Sequence, residues 1–123
     1  MARLFCIIGS LSAFLAVALG AFAAHGLKGK LASDLYDIFE VGVRYHLYHS
    51  LALFVVAWAT TQFPQASIPS AGWLFIAGLI IFSGSLYALS LSGMRWLGAI
   101  TPIGGICFLG GWLWMMWSLW RAA

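Results

Sequence analysis

Residues 4–24 read LFCIIGSLSAFLAVALGAFAA, a run of 21 residues without a charged side chain between Arg3 and His25. A helix of about 20 apolar residues crosses a bilayer hydrocarbon core of about 30 Å. The A-x-A site at residues 21–23 is also found in signal peptides. However, the run exceeds their usual apolar region of about 7–15 residues, and only Arg3 precedes it. We therefore expect a retained transmembrane helix.

The composition of the whole chain also indicates a membrane protein. Of its 123 residues, 63% are hydrophobic and only 7% are charged, with a mean hydropathy of +1.00. A soluble domain carries about 25% charged residues, and a chain this apolar could not cover its surface in water. The net charge of +3 comes from scattered basic residues, so we expect no nucleic-acid partner.

The apolar runs and turn signals predict an all-α membrane protein, a four-transmembrane-helix antiparallel bundle in one domain covering residues 1–123. The expected spans are at about 4–24, 47–62, 72–91 and 97–119. Pro64 ends the second span, and Gly93 lies in the turn after the third. Pro102 falls in the first turns of the fourth span, where backbone N–H groups lack helical partners anyway. Connections this short make consecutive helices antiparallel neighbours.

The second helix is predicted to begin well before its apolar part. Ser33 or Asp34 can cap a helix, and Asp37 supplies an acid at capping-box spacing from Asp34. Over about residues 34–46 the apolar side chains share one face and the charged ones the other. We expect one helix from about 34 to 62, whose amphipathic start lies at the membrane interface.

Small residues at four-residue spacing predict close helix packing. In lipid such ridges let helix backbones approach and gain dispersion energy. The packing positions are Ser12, Ala16, Gly20 and Ala24 on the first span, Gly84 and Ala88 on the third, and Gly111 on the fourth.

A polar strip between His25 and His49 holds all three histidines and six of the nine charged residues. At about 100° per residue, one face of the second helix carries Asp37, Glu40, Arg44 and Tyr48. Glu40 and Arg44 have the favourable order for an i,i+4 ion pair. Two interpretations stay open. Either these groups solvate a helix end at the headgroups, or a network centred on Arg44 pairs with Glu40 or Asp37, bordered by His25 and Tyr45.

His49 lies about one turn inside the second span. We expect a hydrogen bond to Ser85 or Tyr87 on the third span, or to Thr101 near the fourth, as packing or as one station of a proton relay. His46 and His49 are spaced i,i+3, but no Cys₂His₂ or HExxH pattern supports a metal site. No nucleophile with a positioned base is visible. We therefore expect no catalytic residues, no metal, no cofactor and no enzyme.

Four ordered segments resemble one known family: GAFAAHGL (20–27), RYHLYHSLA (44–52), SGSLYAL (83–89) and GAITPIGG (98–105). The chain is similar along its whole length to the YgdD-like family of small four-span bacterial inner-membrane proteins of unknown function. The family pattern has Gln where this chain has His46, which weakens the metal interpretation. The resemblance implies no catalytic residue. It implies that His25, Arg44, Tyr45, His49, Tyr87 and Pro102 belong to the family signature.

The expected function is that of a non-enzymatic inner-membrane protein. Its polar cluster would organise the bundle, or bind a partner or a lipid headgroup. The alternative is a small oligomeric transporter or channel for an ion or solute. Expected partners are membrane lipid and further copies of the chain; a small-molecule ligand stays open. The positive-inside rule predicts both termini in the periplasm, because Lys28, Lys30, Arg44 and Arg95 lie on the side opposite Arg3 and Arg121.

Overall fold

The computed structural model describes all residues, 1–123, and consists of helices and turns. The first helix, α1 (Ala2–Phe22), continues into a π turn (Ala23–Leu27), and α2 covers Ser33–Gln62. The third segment joins α3 (Ile68–Gly78), a π turn (Leu79–Ser83) and α4 (Gly84–Ser92). A 3₁₀ turn (Arg95–Ala99) leads into α5 (Thr101–Ala122). The all-α prediction is confirmed.

Three of the four helical segments are long and apolar enough to cross a membrane: Ala2–Leu27, Ile68–Ser92 and Arg95–Ala122. The prediction of a membrane protein with transmembrane helices is confirmed at this level. The longest helix, α2 with 30 residues, is not among the three. Its first half carries the charged and histidine side chains of the polar strip, which lower its hydropathy.

The prediction of one long second helix is confirmed, but its predicted cap is wrong. The N-cap is Ala32, and no side chain caps the helix. Asp34 lies in the first turn instead, where its charge is favourable against the helix dipole. The helix ends before Phe63 and Pro64.

The face of α1 that packs against α2 coincides with the predicted ridge at its first three positions and departs from it at the fourth. Ser12 and Ala16 are buried and Gly20 is half-buried, but Ala24 is exposed and Ala23 is buried in its place. A step of four residues advances the direction by about 400° at 3.6 residues per turn. A strict four-residue ridge therefore turns away from its partner after a few steps, and Ala24 is not a packing residue.

Glycines set the approach of α5 to the third segment. A Cβ atom at Gly104 would collide with the backbone of Phe82, and one at Gly111 would lie 2.6 Å from the ring of Phe75. Gly111 is thus buried where close packing was predicted. A Cβ at Gly84 would meet nothing within 4 Å, and Ala88 is exposed. The π turn at Leu79–Ser83 adds a residue to the helical repeat and rotates α4 relative to α3, so these two predicted packing positions are wrong.

The main hydrophobic core lies towards the end where α1 begins and α2 ends. Its fully buried large side chains include Phe5, Leu53, Val56, Ile68 and Phe75. A smaller core of Ala23, Leu27 and Phe39 lies at the other end. The buried polar side chains of α2 lie between these two cores.

Candidate functional site

One buried polar group joins three helices around His46, and we call it the His46 network. The imidazole Nδ1 of His46 lies 2.8 Å from the hydroxyl of Tyr87 on α4, and Nε2 lies 3.0 Å from Oγ of Ser12 on α1. Ser12 contacts Ser50 Oγ at 2.6 Å, and Ser50 donates to the backbone carbonyl of His46 at 2.7 Å. Gly42 leaves room for the Tyr87 ring, since a Cβ there would lie 2.9 Å from it.

The backbone carbonyl of His46 fixes the direction of every hydrogen bond in the His46 network except the one to Tyr87. A carbonyl only accepts, so the single hydroxyl proton of Ser50 is used on it. Ser12 must then donate to Ser50, and His46 must donate from Nε2 to Ser12. The ring is buried and pairs with no carboxylate that would stabilise a second ring proton, so it is neutral and its Nδ1 accepts from Tyr87. The geometry and the burial together assign His46 as a neutral imidazole with its proton on Nε2.

His49 forms a second group with the opposite tautomer. Its Nδ1 lies 2.9 Å from the backbone carbonyl of Tyr45, and the indole N–H of Trp112 donates to its Nε2 at 3.1 Å. An indole N–H only donates and a carbonyl only accepts, so the proton lies on Nδ1. The ring also stacks on Phe108, with centroids 3.5 Å apart and planes 9° apart. His49 thus ties α2 to α5.

The predicted partners of His49 are engaged elsewhere. Ser85 and Thr101 lie 2.6 Å apart and bond to each other, while Tyr87 bonds to His46. The inward position of His49 is therefore right and its predicted partners are wrong. Sequence spacing places a side chain on a helix face, but it does not give the rotation of the facing helices.

The predicted ion pair of Arg44 is also wrong. The side chain of Arg44 is exposed and makes no ion pair with Glu40 or Asp37. The only ion pair joins Asp34 to Arg95, in the turn before α5. The hydrogen bond from Arg95 lowers the pKa of Asp34 below its ordinary value of 3.8. The single cluster expected around Arg44 does not form.

The side chains of the remaining predicted site residues form no hydrogen bond in either histidine group, and of these residues only Tyr45 takes part, through its backbone carbonyl. His25 is exposed in the first π turn, and Pro102 is exposed in the first turn of α5. Tyr45 and Tyr48 are exposed and pack edge to face, 5.8 Å between centroids.

Sequence reasoning missed the central role of His46 and overlooked Ser50 and Trp112. Ser50 lies four residues after His46, on the same helix face, and that spacing was an available signal. The partnership of Trp112 with His49 had no signal in the sequence, because it depends on how α5 is rotated. Ser12 was predicted only as a packing residue.

Two open grooves lie beside the two histidines. The His46 groove, of about 290 Å³, is lined by Ile8, Leu11, Ser12, Leu15, His46, Ile76, Leu79, Ile80, Gly84 and Tyr87. The His49 groove, of about 300 Å³, is lined by Tyr45, His49, Phe82, Gly105, Phe108, Leu109 and Trp112. Both grooves are mainly apolar, and each has a histidine that is fully hydrogen-bonded as a neutral ring.

The chemistry open to these side chains is limited by that pairing. Neither imidazole has a free nitrogen to accept a proton from a substrate, as a general base must. No group of three or more His, Cys, Asp or Glu side chains comes together to hold a metal ion.

Comparison with known proteins gives a consistent family and no activity. The family described as "Protein of unknown function (DUF423)" matches residues 19–105. The chain is 48% identical to the UPF0382 membrane protein YwdK of Bacillus subtilis (strain 168), over 90% of this chain and 91% of that protein. It is 43% identical to the UPF0382 membrane protein SH2409 of Staphylococcus haemolyticus, over 97% of each chain. No solved structure matches it significantly. The chain therefore belongs to the DUF423 (UPF0382) family of membrane proteins of unknown function.

Proposed function

We propose that the chain is a non-enzymatic inner-membrane protein built as a four-span antiparallel bundle, with α2 as its fourth span. The charged residues of α2 end at Arg44, and beyond it the polar side chains of His46, His49 and Ser50 are buried and hydrogen-bonded. In its second half α2 presents apolar side chains outward, at Leu51, Phe54, Val55 and Trp58. A helix whose polar side chains are paired inside the protein can cross lipid.

Contacts between helix ends support the antiparallel arrangement. Phe22, at the end of α1, lies edge to face with Phe39 near the start of α2, 6.3 Å between centroids. Thr101, at the start of α5, bonds to Ser85 in α4. Thus α1 contacts α2, and α4 contacts α5, close to the turn that joins each pair.

We place both termini in the periplasm. The Asp34–Arg95 ion pair brings the turn after α1 beside the turn before α5, which collects most of the basic residues on one side. Thiol labelling tests this orientation in a variant with Cys6→Ala and Cys107→Ala. A single cysteine at Gln65 should react with a membrane-impermeant reagent in intact cells, and one at Lys30 only after permeabilisation. The reverse pattern would overturn the orientation.

The activity that the geometry supports best is binding of a membrane lipid in the grooves, while the two histidine groups fix the helix arrangement. One observation carries this proposal: His46 and His49 lie beside apolar grooves with every ring nitrogen already paired. A paired neutral histidine is suited to holding a groove in shape, and apolar walls suit an acyl chain.

Photo-crosslinking tests lipid binding. The full-length protein is reconstituted with a phospholipid that carries a diazirine in one acyl chain, and labelled peptides are mapped by mass spectrometry. We expect enrichment at Leu11, Leu15 and Ile80 in the His46 groove over Phe14 and Val17, which are exposed on α1 outside it. Uniform labelling of all lipid-facing side chains would contradict the proposal.

The transporter alternative gains no support from the polar side chains. The hydrogen-bonded chain from Tyr87 through His46 and Ser12 ends at Ser50 on a backbone carbonyl. A carbonyl cannot pass a proton on, so this series of hydrogen bonds gives no support to a proton relay. Flux of protons or ions in the same vesicles would revive the alternative.

A further inference from the structure

The His46 groove offers hydrogen-bond acceptors and no free donor. The Tyr87 hydroxyl donates to His46 and the Ser12 hydroxyl donates to Ser50, so both protons are used. Both oxygens retain a lone pair, since a hydroxyl oxygen can accept two hydrogen bonds. A ligand that forms a hydrogen bond in this groove must therefore be the donor, as an alcohol can be. A phosphate or carboxylate anion, which only accepts, would find no partner.

The residues that line the groove give a second reason to exclude a charged ligand. No Lys, Arg, Asp or Glu is among its lining residues. The walls are aliphatic, from Ile8 and Leu15 on α1 to Ile76 and Ile80 on the third segment. Its volume of about 290 Å³ lies just below the usual range for ligand pockets, about 300–1,000 Å³. A lipid with one hydrocarbon chain therefore fits this groove better than a lipid with two.

The depth of the polar groups in the membrane further limits the class of ligand. Ser12 lies ten residues into α1 from Ala2, which is about 15 Å along a helix with a rise of about 1.5 Å per residue. That distance is about half of a 30 Å hydrocarbon core. A charged headgroup is costly at the bilayer centre. A single hydroxyl is cheaper to bury there when it has a hydrogen-bond partner.

We propose that the His46 groove binds an uncharged single-chain lipid alcohol, whose hydroxyl donates to the oxygen of Tyr87 or Ser12. This inference rests on the lipid-binding function proposed above and names the class of lipid. The chain of the alcohol lies along the aliphatic walls, and its hydroxyl lies beside His46. The imidazole positions Tyr87 and Ser12 and does not itself touch the ligand hydroxyl.

Matched photo-probes test the ligand class on the full-length protein in phospholipid vesicles. The probes are hexadecanol with a diazirine in its chain, its methyl ether, and the corresponding palmitic acid. We expect the alcohol to label the groove about five-fold more than the ether, the ratio that one hydrogen bond of about 1 kcal/mol represents. Unlabelled hexadecanol should compete with this labelling.

Two leucine substitutions on α4 provide the control. Gly84→Leu places a side chain into the groove, where a Cβ meets nothing within 4 Å, and should abolish the labelling. Ala88→Leu adds the same side chain one turn later, at an exposed position outside the groove lining, and should leave the labelling unchanged. The thermal unfolding of both variants shows whether they are folded.

The outcomes separate this inference from the general function. Equal labelling by alcohol and ether, or stronger labelling by the acid, would overturn the alcohol and leave lipid binding in place. Undiminished labelling in a folded Gly84→Leu variant would also overturn it. No enrichment in the groove with any of these probes or with the diazirine phospholipid would overturn both proposals.

Discussion

The Nδ1 atom of His46 lies 2.8 Å from the hydroxyl oxygen of Tyr87, a contact that joins α2 to α4 in the middle of the helix packing. Together with Ser12 and Ser50 it forms a set in which each donor has one acceptor. Such a set stabilises one rotation of the three helices relative to each other. In an apolar solvent an unpaired member would have no water to bond to.

His46→Leu should destabilise the protein by about 1–2 kcal/mol, since interhelical hydrogen bonds in membranes contribute up to about 1.7 kcal/mol each. The variant leaves Tyr87 and Ser12 without their partner. His46→Gln is the matched control, because an amide supplies one acceptor and a donor like the neutral ring. Thermal unfolding in detergent measures both. A Gln variant as unstable as the Leu variant would show that hydrogen bonding is not the role of His46.

Trp112→Phe should lower the free energy of unfolding by about 0.5–1.5 kcal/mol, the usual net contribution of one hydrogen bond. The change keeps an aromatic ring and removes the N–H that bonds His49. Trp114→Phe is the control, since that indole bonds the carbonyl of Ser67 at an exposed turn where water can replace it. A larger loss of unfolding temperature for Trp114→Phe would contradict the assigned importance of His49.

Gly104→Ala should destabilise the protein by about 1–3 kcal/mol, as overpacking of a tight interface does. Its new Cβ would collide with the backbone of Phe82, which cannot move as a side chain can. Gly84→Ala should be neutral or slightly stabilising, because its Cβ has open space and alanine favours the helix by about 0.5–1 kcal/mol. Denaturation in detergent distinguishes the two. Equal effects would contradict the packing of α5 against the third segment.

Arg95→Gln should raise the pKa of Asp34 towards its ordinary value of 3.8, because the hydrogen bond from Arg95 is the main cause of its lowering. A lowered carboxyl pKa contributes stability above the unfolded value and loses it as the pH falls through the folded value. The effect is confined to acid pH below about 4. The effect is small, since both side chains are more than half exposed and exposed ion pairs contribute little to stability. An NMR titration of the Asp34 carboxyl measures the pKa. An unchanged pKa in the variant would show that the ion pair does not form.

The sequence predicted the helical class, the membrane setting and the long second helix, because hydrophobic periodicity and turn residues act locally. It predicted the inward position of His49 for the same reason. It could not predict that Trp112 reaches His49, because that contact depends on the rotation of α5. The two π turns each shift the helical phase, and no residue pattern revealed them. Gly84 and Ala88, which follow the second π turn, were therefore placed on the wrong face, and Ala24 was misplaced because a strict four-residue ridge turns away from its partner.

The predicted centre of the site was wrong because the prediction gave most weight to charge. Arg44 stood out as a charged residue near the start of an apolar run, yet its side chain is exposed without an ion-pair partner. His46 lies two residues after Arg44, about 200° around the helix, and that direction is where α1 and α4 pack. In a membrane protein the polar group that faces other helices is the one that must be paired.

The tautomers of the histidines test the central claim most directly. Solid-state NMR of the protein with ¹⁵N- and ¹³C-labelled histidine, in lipid at neutral pH, identifies which ring nitrogen carries the proton. His25→Gln and His46→Gln variants assign the signals. The account predicts a neutral ring protonated at Nε2 for His46 and at Nδ1 for His49. The same tautomer at both sites, or a doubly protonated ring at either, would contradict it.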